Sequence, residues 1–153
     1  STSRWRPTSG NTVARAARVL EGFVYRFNLG ADLGVLLMGM GGVLRGRGSL
    51  EALLVDGLGD GLHAALAGFT AGIRDAAPLA ALKKKVGPIR GLHHLLPHPL
   101  GKGAAKRLNL YLRWMVRGPD AVDFGVWKHV GADRLIIPLD THVHRIAKLL
   151  GYF

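Results

Sequence analysis

Pro138-Leu-Asp-Thr-His-Val-His-Arg-Ile-Ala-Lys-Leu-Leu-Gly151 is the stretch from which the rest of the chain can be read. Ile136 and Ile137 lead into a helix-breaking proline, and Asp140 and Thr141 stand where a helix can begin. Val143, Ile146, Ala147 and Leu150 then recur at three- and four-residue steps, one face of an amphipathic helix that is expected to turn inward. Gly151 is the expected stop. Asp140 is thus a carboxylate at a helix mouth. Its plainest role is that of an N-cap, for which aspartate is among the best residues.

The same periodicity runs backward through the chain. The segment KRLNLYLRWMVR, 106–117, carries a stripe of Leu108, Tyr111, Leu112 and Met115 with three arginines around it. Earlier helices are expected over 12–27 (Val13, Ala17, Leu20, Val24 and Phe27 on one face, closed by Asn28-Leu-Gly30), from Asp32 as cap through Leu44, from Ser49 as cap, and over 58–75. In the second of these, Leu33, Leu36, Leu37, Met40 and Leu44 carry the expected face. Its glycines 34, 39, 41 and 42 demand close neighbours or leave the helix marginal. A short basic helix or turn is expected over 79–86, a loop over 87–103, a turn or short helix over 123–128 and one more turn at 131–133. Period-two alternation is missing, so the fold class is all-α. The expected organisation is a loose tail over 1–11 and a single helical domain over 12–153.

Composition narrows the partners. The chain has 153 residues, enough for one domain, and its 21 lysines and arginines face 10 acids, a net charge of +11. A field of that sign attracts polyanions, which makes nucleic acid the leading partner class, with an anionic membrane surface behind it. There is no cysteine, which excludes disulfides, thiolate-ligated iron–sulfur clusters and cysteine zinc sites. His93, His94, His98, His142 and His144 lack acidic company at ligand spacing, so no metal is expected. No apolar run is long enough to span a bilayer, no signal peptide is evident, and no obligate protein partner is indicated; a cytoplasmic protein is expected. The missing initial methionine leads to the expectation that the chain is a piece of a longer one.

Two features could carry chemistry. Leu100-Gly-Lys-Gly-Ala-Ala-Lys106 sets Gly101 and Gly103 before a helix, where free amide N–H groups suit a phosphate. Lys106 opens that helix, where the positive helix end together with partial burial is expected to favour its neutral, nucleophilic amine. An antiparallel return would bring Lys106 and Asp140 to the same side of the domain. An amine beside a carboxylate is what attack on the anomeric carbon of a nucleoside requires. Each residue alone has a plainer reading, as a solvated lysine or a cap. Trp114 and Trp127 read as core, with the option that one faces a flipped base.

Leu139-Asp-Thr-His-Val-His-Arg145 with Leu149-Leu-Gly151 resembles the V-D-T-H-V/I-x-R…R-L-G segment of helix-hairpin-helix DNA glycosylases, the endonuclease III superfamily. KRLNLYLRWMVR, VDFGVWK and LIIPLDTHVHRI more closely resemble a largely uncharacterised bacterial domain family distantly related to those enzymes. The resemblance implies a multi-helix orthogonal bundle with a hairpin at about 97–106 and a catalytic-type helix over 140–150. It implies Asp140 as the catalytic aspartate and Lys106 as the Schiff-base lysine, with Lys102 as the other candidate. Gly101, Lys102, Gly103, Arg107, His142 and Arg145 would face DNA. The spacing from lysine to aspartate is nearer to that of archaeal 8-oxoguanine glycosylases than to endonuclease III. No iron–sulfur cluster is expected, and a structural monovalent cation fits such a hairpin. The implied function is excision of a damaged base from duplex DNA, with or without abasic-site lyase activity. The alternatives are a non-catalytic DNA- or RNA-binding helical module, an inactive fragment lacking N-terminal helices that complete one wall of the cleft, and a structural helical protein with a basic surface.

Overall fold

The computed structural model describes residues 10–101, 103–138 and 140–152, which are mostly helical. The chain divides into two compact units, Ser1–His98 and Pro99–Phe153, where the sequence led us to expect a single domain over 12–153. The tail expected over 1–11 lies outside the described residues up to position 9, and positions 10 and 11 are already helical.

The first unit is built around one helix. α1 spans Gly10–Leu20, α2 Gly30–Arg47, α3 Leu50–Val55, α4 Leu62–Asp75, α5 Leu79–Lys85 and α6 Leu92–Leu95. α2 packs against all five others. Its buried face is made of small residues, Ala31, Gly34, Val35, Gly39, Gly42 and Val43 with Met38, whereas Leu37 and Leu44 are exposed. The expected leucine face is therefore corrected. The reason is steric: a methyl group at Gly39 would lie 2.1 Å from the Ile73 carbonyl oxygen, so α4 approaches α2 more closely than any side chain allows. Val13, Val35, Met38, Ala77 and Leu82 form a core cluster between α1, α2 and α5. Ser49 caps α3 through Ala52 N–H at 3.2 Å, as its position led us to expect.

The first helix ends earlier than its apolar pattern suggested. Gly22 has φ +70, a left-handed stop, and β1 (Val24–Tyr25) then pairs antiparallel with β2 (Asn28–Leu29). Val24 and Phe27, expected on the inner face of a helix, are exposed. Asn28, expected to close that helix, instead donates from Nδ2 to the Gly91 carbonyl at 2.8 Å. Asp32 is not the N-cap of α2 but sits three residues inside it, fully buried. One carboxylate oxygen takes Leu29 N–H at 2.8 Å and the other takes Arg90 and Gly91 N–H at 3.0 Å each. The loop after α5 is thereby fixed to the mouth of α2.

In the second unit, α7 spans Lys106–Val116 and α8 spans Thr141–Leu149, with a short 3-10 turn at Ala132–Arg134 between them. Leu108, Leu112, Trp127 and Val130 are buried, and Tyr111 meets Trp127 edge-on at 5.7 Å between ring centroids. The segment 122–127 is irregular, not helical, with Gly125 in a left-handed conformation at φ +57. Phe124 and Gly125 N–H reach the Trp114 carbonyl at 2.7 and 3.2 Å, and Trp127 N–H reaches that of Met115 at 2.8 Å. The carbonyls left open at the end of α7 recruit these donors. Asp123, Gly125 and Trp127 consequently face inward while Val122, Phe124 and Val126 face out. The apolar stripe of α8 is present but uncovered: Val143, Ile146 and Leu150 are 43, 57 and 68% exposed, where an inward face was expected. Periodicity fixes which side chains share a face, not what that face meets.

Candidate active site

Asp140 is the N-cap of α8. Its Oδ1 accepts His142 N–H at 3.0 Å and Val143 N–H at 2.9 Å, so the capping role read from the sequence is real. Its Oδ2 is turned the other way and accepts from Lys106 Nζ at 2.7 Å. The two helix mouths do meet, across thirty-four residues of chain. Hydrogen bonding to the Lys106 ammonium, then to the Val143 and His142 amides, pulls the Asp140 carboxyl down to about 2. The Lys106 side chain is 53% exposed, and it forms an ion pair with Asp140.

The pair lies at one end of a cleft of about 360 Å³. Lys106, Asn109, Arg113, Arg117 and Asp140 supply its polar lining, and Leu110, the 135–138 segment and Val143 supply an apolar wall. A small apolar cavity with a few convergent polar groups is the ordinary form of a ligand site. Asn109 braces the approach to α7: its Nδ2 donates to the Ala104 and Ala105 carbonyls at 3.1 and 3.3 Å. Ala105 has φ +44, an uncommon left-handed conformation for alanine, and no side chain caps the helix that follows.

At the other end of α7, Asp123 is 1% exposed, and its Oδ2 accepts from Arg113 Nε at 3.1 Å. Asp120 turns the chain there: its Oδ1 takes Val122 and Asp123 N–H, and those two bonds hold its carboxyl below the usual carboxylate range. Burial pushes the Tyr111 hydroxyl up.

Of the residues read from the sequence, Lys106 and Asp140 converge. Gly101, Gly103, Arg107, His142 and Arg145 are exposed and outside the cleft lining, and Lys102 lies outside the described residues. Trp127 is core, as read. Trp114 is 39% exposed and does not line the cleft. Among the described residues no group of three or more histidines and acids is placed to hold a metal. His93 and His94 instead meet at a tilt, 43° between planes and 3.9 Å between ring centroids, with Phe27 5.0 Å from His94. Asn109, Arg113, Arg117 and Asp123 were missed as site residues. An acid set in an apolar stretch ten residues after an arginine was the available signal for Asp123.

A family profile described as "Protein of unknown function (DUF2400)" matches residues 6–153. The chain belongs to that family. No curated protein and no solved structure matches this DUF2400 chain. Among its described residues no helix is long and apolar enough to cross a membrane.

Proposed function

We propose that this DUF2400 chain is a helix-hairpin-helix DNA glycosylase-like domain that binds duplex DNA and excises a damaged base, with Lys106 as nucleophile and Asp140 as its electrostatic partner. The observation that carries the reading is the 2.7 Å contact between Lys106 Nζ and Asp140 Oδ2 at the end of a half-apolar cleft. The net charge of +11 supports a polyanionic substrate, and the uncapped mouth of α7 supports a phosphate beside it.

In the resting ion pair the Asp140 carboxyl is ionised. A nucleotide turned out of the duplex breaks the pair, and positive charge developing at the sugar takes the place of the ammonium opposite Asp140. Lys106 gives one proton to the departing base, its nitrogen bonds to C1′ as the bond from C1′ to the base breaks, and a second proton passes from that nitrogen to the ring oxygen. Opening of the sugar ring then leaves an iminium between C1′ and Nζ. A monofunctional route, in which Asp140 activates water instead, keeps the carboxylate and dispenses with the amine.

Borohydride reduction on a panel of damaged duplexes tests the lyase route. The expected result is a covalent protein–DNA adduct that is absent from Lys106→Gln. Base release without an adduct assigns the monofunctional route. No release from any lesion, together with duplex binding unaffected by Asp140→Asn, leaves the non-catalytic binding module. The fact that favours that second reading is that Asp140 already has a complete structural role as the cap of α8.

A further inference from the structure

Lys106 and Asp140 occupy one end of the cleft and leave the other without a role. Residues 106, 109, 113 and 117 follow at three- and four-residue steps, so they share one face of α7 and its C-cap, and all four line the cleft. Arg113 and Arg117 are like charges four residues apart, which disfavours a helix unless something answers them. Buried Asp123 answers only in part. Its Oδ2 is hydrogen-bonded to Arg113 Nε at 3.1 Å but stands 3.8 Å from Arg117 Nε, beyond hydrogen-bond range. Asp120 lies nearby but outside the cleft lining, with its Oδ1 held by two backbone amides.

Both guanidiniums turn Nε toward the buried carboxylate and remain about half exposed, 43 and 52%. An arginine approached at Nε still has donors on its terminal nitrogens, the fork that matches phosphate oxygens. We infer that Arg117, with Arg113 anchored by Asp123, forms a phosphate-binding subsite of the cleft that takes a phosphodiester of the nucleic-acid backbone near the reacting sugar. Arg113 and Arg117 lie roughly 10 and 16 Å along the axis from Lys106 at the helical rise, which suits a phosphate within a few nucleotides on the same strand. The subsite rests on the reading of the cleft as a DNA site. Arg117 is a positioning residue there, not a reacting one.

The test is Arg117→Gln in the full chain, titrated with an undamaged duplex over a range of salt. One lost phosphate contact lowers the log–log salt slope by about 0.9 and weakens binding several-fold near 0.1 M salt. The unfolding midpoint is expected to hold. An unchanged slope overturns the subsite. So does a fall in the midpoint as large as that of Arg113→Gln, which makes Arg117 a counter-ion for Asp123 only. Inorganic phosphate at constant ionic strength separates the sources: no displacement of duplex is expected, and displacement from the native chain but not from the variant assigns the site to free phosphate and overturns the backbone reading. Binding needs no chemistry. A chain with the Arg117-dependent slope but neither base release nor a borohydride adduct on any lesion keeps this subsite and loses the glycosylase reading, and base release with an unchanged slope does the reverse.

Discussion

Asp32 and Asp140 are both aspartates at the mouths of helices, and they are used in opposite ways. Asp32 is 0% exposed and spends both oxygens on backbone amides, those of Leu29, Arg90 and Gly91. Nothing of it is left for a ligand. Asp140 divides its carboxylate, one oxygen capping α8 and the other reaching Lys106 across a cleft. A capping aspartate becomes a candidate for chemistry when one of its oxygens is directed away from its own helix.

The largest effect is expected at the buried member. Asp32→Ala strands three amide donors and should cost about 3–5 kcal/mol, since each buried unsatisfied donor costs about 1–3 kcal/mol. Urea denaturation reads it, and a loss near zero would mean that water reaches those amides. Next comes Gly39→Ala, where the added methyl meets the Ile73 carbonyl. About 1–3 kcal/mol of destabilisation is expected from forcing α2 and α4 apart, against a small gain had the site been open.

The exposed member should behave differently. Asparagine caps as well as aspartate, so Asp140→Asn should leave the unfolding midpoint nearly unchanged while abolishing base release. A large loss of stability in Asp140→Asn would make the contact with Lys106 structural and erase the contrast with Asp32. The smallest effect is a titration. The Asp140 carboxyl, held near 2 in place of its usual 3.8, should still be ionised at pH 3, and carboxyl NMR in Lys106→Met should show its midpoint rising toward 3.8. The sign follows from linkage. A depressed folded-state value means that the stabilisation is complete above about 3.8 and is lost as pH falls through about 2.

Much of the helical organisation was legible because side-chain spacing is a local property. The starts of α3, α7 and α8 followed from Ser49, from the spacing after Lys106 and from Asp140. The end of α1 was misread because Val24 and Phe27 continue a helical spacing that Gly22 had already broken. The face of α2 was misread because leucines outweigh glycines on any scale of hydrophobicity, yet it is Gly39 and Gly42 that meet the end of α4. In the cleft, Lys106 and Asp140 were named from chemistry and motif together. Arg113, Arg117 and Asp123 were not, because α7 and the irregular segment after it meet through backbone bonds and an Arg113–Asp123 pair that no spacing displays.

The sequence by itself determined a helical, strongly basic chain without thiols, and it put a carboxylate and an amine at two helix mouths, since propensity, charge and capping act within a few residues. Tertiary structure decided which glycines carry the packing, that Asp32 is spent on the backbone, and that Asp140 turns its second oxygen toward Lys106. Those outcomes depend on how closely distant segments approach one another, and a hydrogen bond is made or lost within about half an ångström.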